Sequence, residues 1–181
     1  DFRSATRGIT ELVIHWTGHY LDQDIGAQEI HDTHKEQGFD GIGYHYVIRN
    51  GGAIERGRPI QQEGKHAEAN GHDKYSIGVA VVGGYTVPSK VGLANPPTGK
   101  ESFDPKQRLT LYNIIKEFYN VWPGGQVWGH NDTDPQNHAD PGFPVGDYIK
   151  ENFNKVNVSA SGTNKPLSTL EITQLRAGEL E

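Results

Sequence analysis

GHNDTDPQNHADPG, residues 129–142, sets two histidines and three aspartates into fourteen positions, with two prolines stiffening the path. Imidazoles and carboxylates ligate divalent cations and move protons near neutral pH. Three readings compete for the stretch: a calcium loop, half of a transition-metal site, or a polar turn without chemistry. The calcium reading fails on spacing. Counted from Asp132, the sixth position lacks the required glycine, and the twelfth is Phe143 instead of a bidentate Glu.

A transition-metal centre needs ligands converging from separate elements. His130 and Asp140 stand at the two ends of a stretch that can fold back on itself. His15, near the end of the apolar run ITELVIHW, is the best third candidate, because two adjacent strand ends would bring it beside His130. The chain holds nine histidines, and the others read more blandly. His19 could join His15 only on a helix, which the β-branched run opposes. His31 reads as solvated and His34 as packing on a helix. His45 and His66 either line a cleft as substrate contacts or serve structural hydrogen bonds. Trp16, Tyr85 and Trp128 either border a groove and stack on sugar or simply pack.

Several elements must position these groups. Residues 9–16 read as a buried strand, and SIGVAVVGG, 76–84, as a central one bounded by glycines. DIGAQEIHDTHKEQG reads as a helix stopping near Gly38. YHYVIRNGGAIERG reads as a hairpin turning at Asn50-Gly51, with Tyr44, Tyr46 and Ile48 on one face. Residues 86–103 read as loop. Asp104-Pro105 then opens a helix whose apolar stripe is Leu111, Ile115, Phe118 and Trp122, ending at Pro123-Gly124-Gly125. That stripe reads as core. QVWG is a short strand delivering His130, and Val145, Ile149 and Phe153 mark a closing helix. Strands alternating with helices predict one α/β domain with a mixed sheet.

At 181 residues the chain suits one domain with a core that stands without staples. Cys is absent, which excludes disulfides, thiolate ligands and cysteine nucleophiles. A formal net charge of −6 argues against a nucleic-acid partner. No apolar run approaches ~18 residues, so no segment is expected to insert into a membrane, and the first residues do not read as a signal peptide. Met is absent even at position 1, which suggests a piece of something longer or a chosen boundary. Residues 1–8 read as a lead, 9–154 as the domain, and 155–181 as a linker or a tail ordered by a partner.

VIHWTG, EIHDTHKEQGF, IGYHYVIRNGG, GKHAEANGHDKYSIGVAVVGG, FDPKQ and GHNDTDPQNHADPGF, in this order and spacing, resemble the motifs of the type-2 N-acetylmuramoyl-L-alanine amidases. These are zinc hydrolases of peptidoglycan related to the peptidoglycan recognition proteins. The resemblance spans about residues 9–150. It implies a central mixed sheet flanked by helices and one Zn²⁺ held by His15, His130 and Asp140. The third position is Cys in a phage relative and Asp in many bacterial ones. Tyr44 falls where the family places a catalytic tyrosine. Two departures stand out: His138 replaces the usual lysine two residues before the last ligand, and Ala80 replaces a glutamate of some bacterial members. Tyr44 and His138 are then expected to share the proton work, with His45, His66 and Trp16 contacting substrate. The implied partner is the muramyl peptide of the bacterial cell wall, and the implied source a phage endolysin or virion-associated lysin whose tail touches a larger assembly.

Two rivals remain. A peptidoglycan-binding module that keeps the fold without hydrolysis would typically lose a ligand, whereas all three are present here. A glycosidase would need paired carboxylates across a cleft, and nothing sets a second acid opposite Asp132 or Asp134.

Overall fold

ELVIHW forms β1 (Glu11–Trp16), and all six of its residues are buried because strands flank it on both sides. The structure is a computed structural model that describes residues 2–85, 103–136 and 139–158. Along the chain follow β2 (His19–Tyr20), α1 (Ala27–Glu36), β3 (Tyr46–Ile48), β4 (Ile54–Arg56), β5 (Ser76–Val81), β6 (Gly84–Tyr85), α2 (Pro105–Val121), β7 (Gln126–Gly129), α3 (His130–Thr133) and α4 (Val145–Phe153). The main sheet runs β4-β3-β5-β1-β7, and β2 pairs with β6 in a small second sheet. β1 lies parallel to β5 and β7, β3 lies parallel to β5, and β4 closes one edge antiparallel to β3. The result is the mixed α/β sheet expected, with helices on both sides.

Alternation along the strands decides what each face carries. Leu12, Ile14 and Trp16 of β1 join Ile77, Val79 and Val81 of β5 in the larger core, covered by Leu111, Ile115 and Phe118 of α2 and Val145 and Ile149 of α4. The opposite face receives Glu11, Val13 and His15 from β1. From β5 it receives only small residues, Ser76, Gly78 and Ala80. There a smaller cluster of Ile30, Ile42, Val47 and Val82 packs under α1. The polar face is therefore roomy, and the chemistry sits in that room.

Capping explains where the long helix begins. Asp104 accepts from Gln107 N–H at 2.8 Å, and Gln107 Oε1 accepts from Asp104 N–H at 3.0 Å, with Pro105 in the first turn. Both ends of the described chain pack against the sheet and helices. Phe2, read as part of a lead, is buried against Tyr46, Phe118 and Trp122. Past α4 the chain returns along the free edge of β7, where Asn157 Oδ1 accepts from Val127 N–H at 3.0 Å and its amide donates to Val127 O. The tail from 159 onward and the loop 86–102 lie outside the described residues.

Candidate active site

Two strand ends and a returning loop build the site. β1 presents His15 on the polar face. β7 ends directly in α3, whose first residue is His130. Asp140 comes back from the loop: its backbone carbonyl accepts from Asn131 N–H at 2.8 Å, and its Oδ1 accepts from Trp16 N–H at 2.8 Å. One ligand atom from each of His15, His130 and Asp140 lies within 4.8 Å of the others. Asp140 Oδ2 stands 3.0 Å from His130 Nδ1 and 3.5 Å from His15 Nδ1. Those spacings bracket the edge of about 3.4 Å in a tetrahedron with donors about 2.1 Å from its centre. His15 Nδ1 is buried and makes no hydrogen bond, as a nitrogen reserved for a cation would be. Two imidazoles and a carboxylate are also a donor set suited to zinc-like ions.

The electrostatics keep these groups ready to ligate. Burial pushes the His15 imidazole below its usual range, partly offset by Asp140, so it stays neutral. For Asp140, burial acts upward, but the neighbouring His130 and His15 and the Trp16 amide outweigh it, and the carboxyl falls below its ordinary value.

Asp132 and Asp134, the other acids of the loop, have local work. Asp132 Oδ2 accepts from Gly129 N–H at 2.8 Å and caps α3, while Asp134 Oδ1 accepts from Gln136 N–H at 2.9 Å. No carboxylate comes from β5, since Ala80 stands in register beside His15.

Tyr44 does not share a face with Tyr46 and Ile48, as the hairpin reading had it. β3 begins only at Tyr46, and Tyr44 packs with Val47 and α1 on the polar face. Its ring lies 5.0 Å from that of His15 and 5.4 Å from that of His34. Burial raises its hydroxyl pKa well above the usual phenol value, so it remains a proton donor. An open cleft of about 470 Å³ runs over the site, lined by His34, Phe39, Tyr44, Lys65, His66, Glu68, Ala69, His130 and Asp134. A smaller, more apolar hollow between α2 and α4, of about 210 Å³, belongs to the larger core on the opposite face.

Of the three expected substrate contacts, Trp16 and His45 are not among the residues lining the cleft, whereas His66 is. Trp16 is only 8% exposed and belongs to the larger core; a methyl on Gly84 or Gly142 would fall 2.5 Å from its ring. His45 is 1% exposed, its Nδ1 accepts from Gly78 N–H at 3.0 Å, and its Nε2 donates to Gln62 O at 2.8 Å. Both ring nitrogens are spent on structure. The His66 imidazole is fully buried behind His15, with Nδ1 2.8 Å from His15 Nε2. Burial and the neighbouring His15 hold it well below the usual histidine range, hence neutral. His138 lies outside the described residues, as does the side chain of Tyr85.

Sequence reasoning missed His34, read as packing. Its Nδ1 accepts from Gly43 N–H at 2.9 Å, which leaves the proton on Nε2 as a donor at the cleft wall. It also missed Lys65, whose ammonium sits 4.6 Å from the Phe39 ring centroid at the cleft rim. Neither carries a signal beyond an isolated polar residue near a loop.

A three-point His/His/Asp cup that could hold a metal ion stands at the strand ends of a mixed α/β sheet and opens into a cleft. The N-acetylmuramoyl-L-alanine amidase family model matches residues 5–143, and the chain belongs to that family. It is by class an amidase. An endolysin of Enterobacteria phage K11 is 30% identical over 141 residues, covering 78% of this chain and 85% of that protein. Among solved structures, the N-acetylmuramoyl-L-alanine amidase LysC from Clostridium intestinale URNW superposes with a TM-score of 0.63 at 27% identity, covering 82% of this chain and 87% of that one. Ectodomains of the peptidoglycan recognition proteins LCa and LCx, bound to tracheal cytotoxin, share the fold at a TM-score of 0.58 and 19% identity, over 81% of this chain and 84% of theirs.

Proposed function

We propose that the chain is a zinc-dependent lysin that cleaves the amide joining the lactyl group of N-acetylmuramic acid to L-alanine of the stem peptide. The observation that carries the reading is the buried Nδ1 of His15, which makes no hydrogen bond and faces Asp140 Oδ2 at 3.5 Å beside His130. His15, His130 and Asp140 would hold one Zn²⁺, which supplies a Lewis acid that brings a water toward a pKa of about 7 and polarises the scissile carbonyl.

The chain's own groups do the rest. Trp16 N–H orients the Asp140 carboxylate, leaving Oδ2 for the metal. Tyr44, protonated across the working range, donates a hydrogen bond to the attacking water or to the leaving amine. His34 supplies a second donor at the cleft wall. His138 is proposed to stabilise the developing oxyanion in place of the family lysine. With Ala80 on β5, no carboxylate base is involved from that strand, so proton transfer falls to Tyr44, His138 and water. The phage endolysins among the relatives support a phage origin and action on the bacterial cell wall.

The test is digestion of purified peptidoglycan with and without a chelator, reading new amino termini and new reducing sugar. The amidase releases N-terminal alanine in a chelator-sensitive way. New reducing ends would mean glycan cleavage, and neither product would mean a binding module; both outcomes contradict the proposal.

A further inference from the structure

We propose that His66 is a positioning residue for the metal centre: it fixes His15 in the tautomer that leaves Nδ1 bare, while Ser76 and Asp73 fix the tautomer of His66. The inference rests on the metal-centre reading above and extends it to residues that supply no ligand atom. An imidazole can offer Nδ1 to a cation only if its proton sits on Nε2, and an acceptor on that side holds it there. For His15 the partner 2.8 Å from Nε2 is His66 Nδ1. That nitrogen accepts only if the His66 proton sits on its own Nε2. Ser76 Oγ, a hydroxyl able to accept, lies 3.3 Å from His66 Nε2, and the Asp73 carboxylate Oδ1, which only accepts, lies 3.6 Å away and favours a proton on that nitrogen electrostatically. Proton placement thus passes inward from an acidic, oxygen-lined end to the bare nitrogen.

The seat of His66 is built to hold this alignment. Asp73 Oδ1 accepts from the backbone N–H of His66 at 2.9 Å and of Ala67 at 2.7 Å, pinning the chain behind the ring. A Cβ on Gly64 or on Gly78 would fall 2.5 Å from His66 Cδ2, so the ring occupies a slot that only two glycines leave open. The glycines of GKH and SIG are explained by this slot, as is the run of small residues on the polar face of β5.

Long-range proton–nitrogen NMR of the zinc-loaded protein reads the tautomers directly. The expected pattern is a protonated Nε2 on both His15 and His66 and an unprotonated Nδ1 on His66. A proton on His66 Nδ1 overturns the proposal. Chelator competition adds a second readout. His66→Phe should lower zinc affinity by about 10- to 100-fold, with His66→Gln, which keeps an acceptor, recovering part of the loss. A folded His66→Phe binding zinc within twofold of the parent removes the role, and if that variant does not fold the NMR decides. Asp140→Ala separates this proposal from the one beneath it. If Asp140→Ala loses zinc while His66→Phe keeps it, only the positioning role falls. If Asp140→Ala keeps zinc, the metal centre falls and takes the positioning role with it.

Discussion

Tyr44 is the residue whose chemistry can be separated from metal binding. It packs against His15 and α1 yet contributes no ligand atom, and burial keeps its hydroxyl protonated. Tyr44→Phe is therefore expected to lower turnover by roughly 10²-fold or more while leaving zinc affinity unchanged. A variant turning over within twofold of the parent would make Tyr44 a packing residue. His138→Ala is expected to cost about 10²-fold, the effect of losing one oxyanion donor. Residue types and spacing offered His15, His130 and Asp140 only as candidates for a metal centre, and the family resemblance implied them as the ligand set. They misjudged Trp16 and His45, because exposure depends on which strand face and which glycines lie opposite, and neither is written in a single residue.

At the scale of elements, the histidines behind the site tie strands together. His45 bonds Gly78 on β5 and the carbonyl of Gln62, and burial pushes its pKa down to about 4. Unfolded, it would take a proton below about 6.5; folded, only below about 4. Between those values the unfolded chain binds more protons, so stability is full above pH 6.5 and is lost as pH falls, by about 3 kcal/mol for this group. His15 and His66, also depressed by burial, push the same way. Urea unfolding of the zinc-free protein between pH 7 and 4.5 should show the loss, and His45→Gln should flatten the slope. Identical slopes would mean His45 is protonated in the fold. Strands β1 and β5 and helix α2 were legible because apolar runs and an N-cap aspartate followed by proline mark them. The four-residue α3 was not, since its start depends on Asp132 capping a glycine amide. Tyr44 was misassigned to a strand face because β3 begins two residues later than the alternation suggested.

Across the whole molecule, residues near both ends of the described chain pack against the fold. Phe2 fills a gap between α2 and β3, and residues 155–158 close the outer edge of β7, where Val158 N–H also donates to Gln126 Oε1 at 2.6 Å. A single apolar residue in a polar lead, and an asparagine mimicking a strand partner, leave no periodic trace. A chain ending at Asn154 should melt several degrees below one ending at Val158, because it bares the β7 edge. Equal melting temperatures for the two would show that the edge contacts contribute nothing.

The most direct test counts metal ions and product together. Purified protein, dialysed against trace zinc, should hold one zinc per chain and release N-terminal alanine from peptidoglycan, while His15→Ala and Asp140→Ala, still folded, should lose both. A folded variant of either kind that retains one zinc per chain and full alanine release would contradict the three-ligand centre.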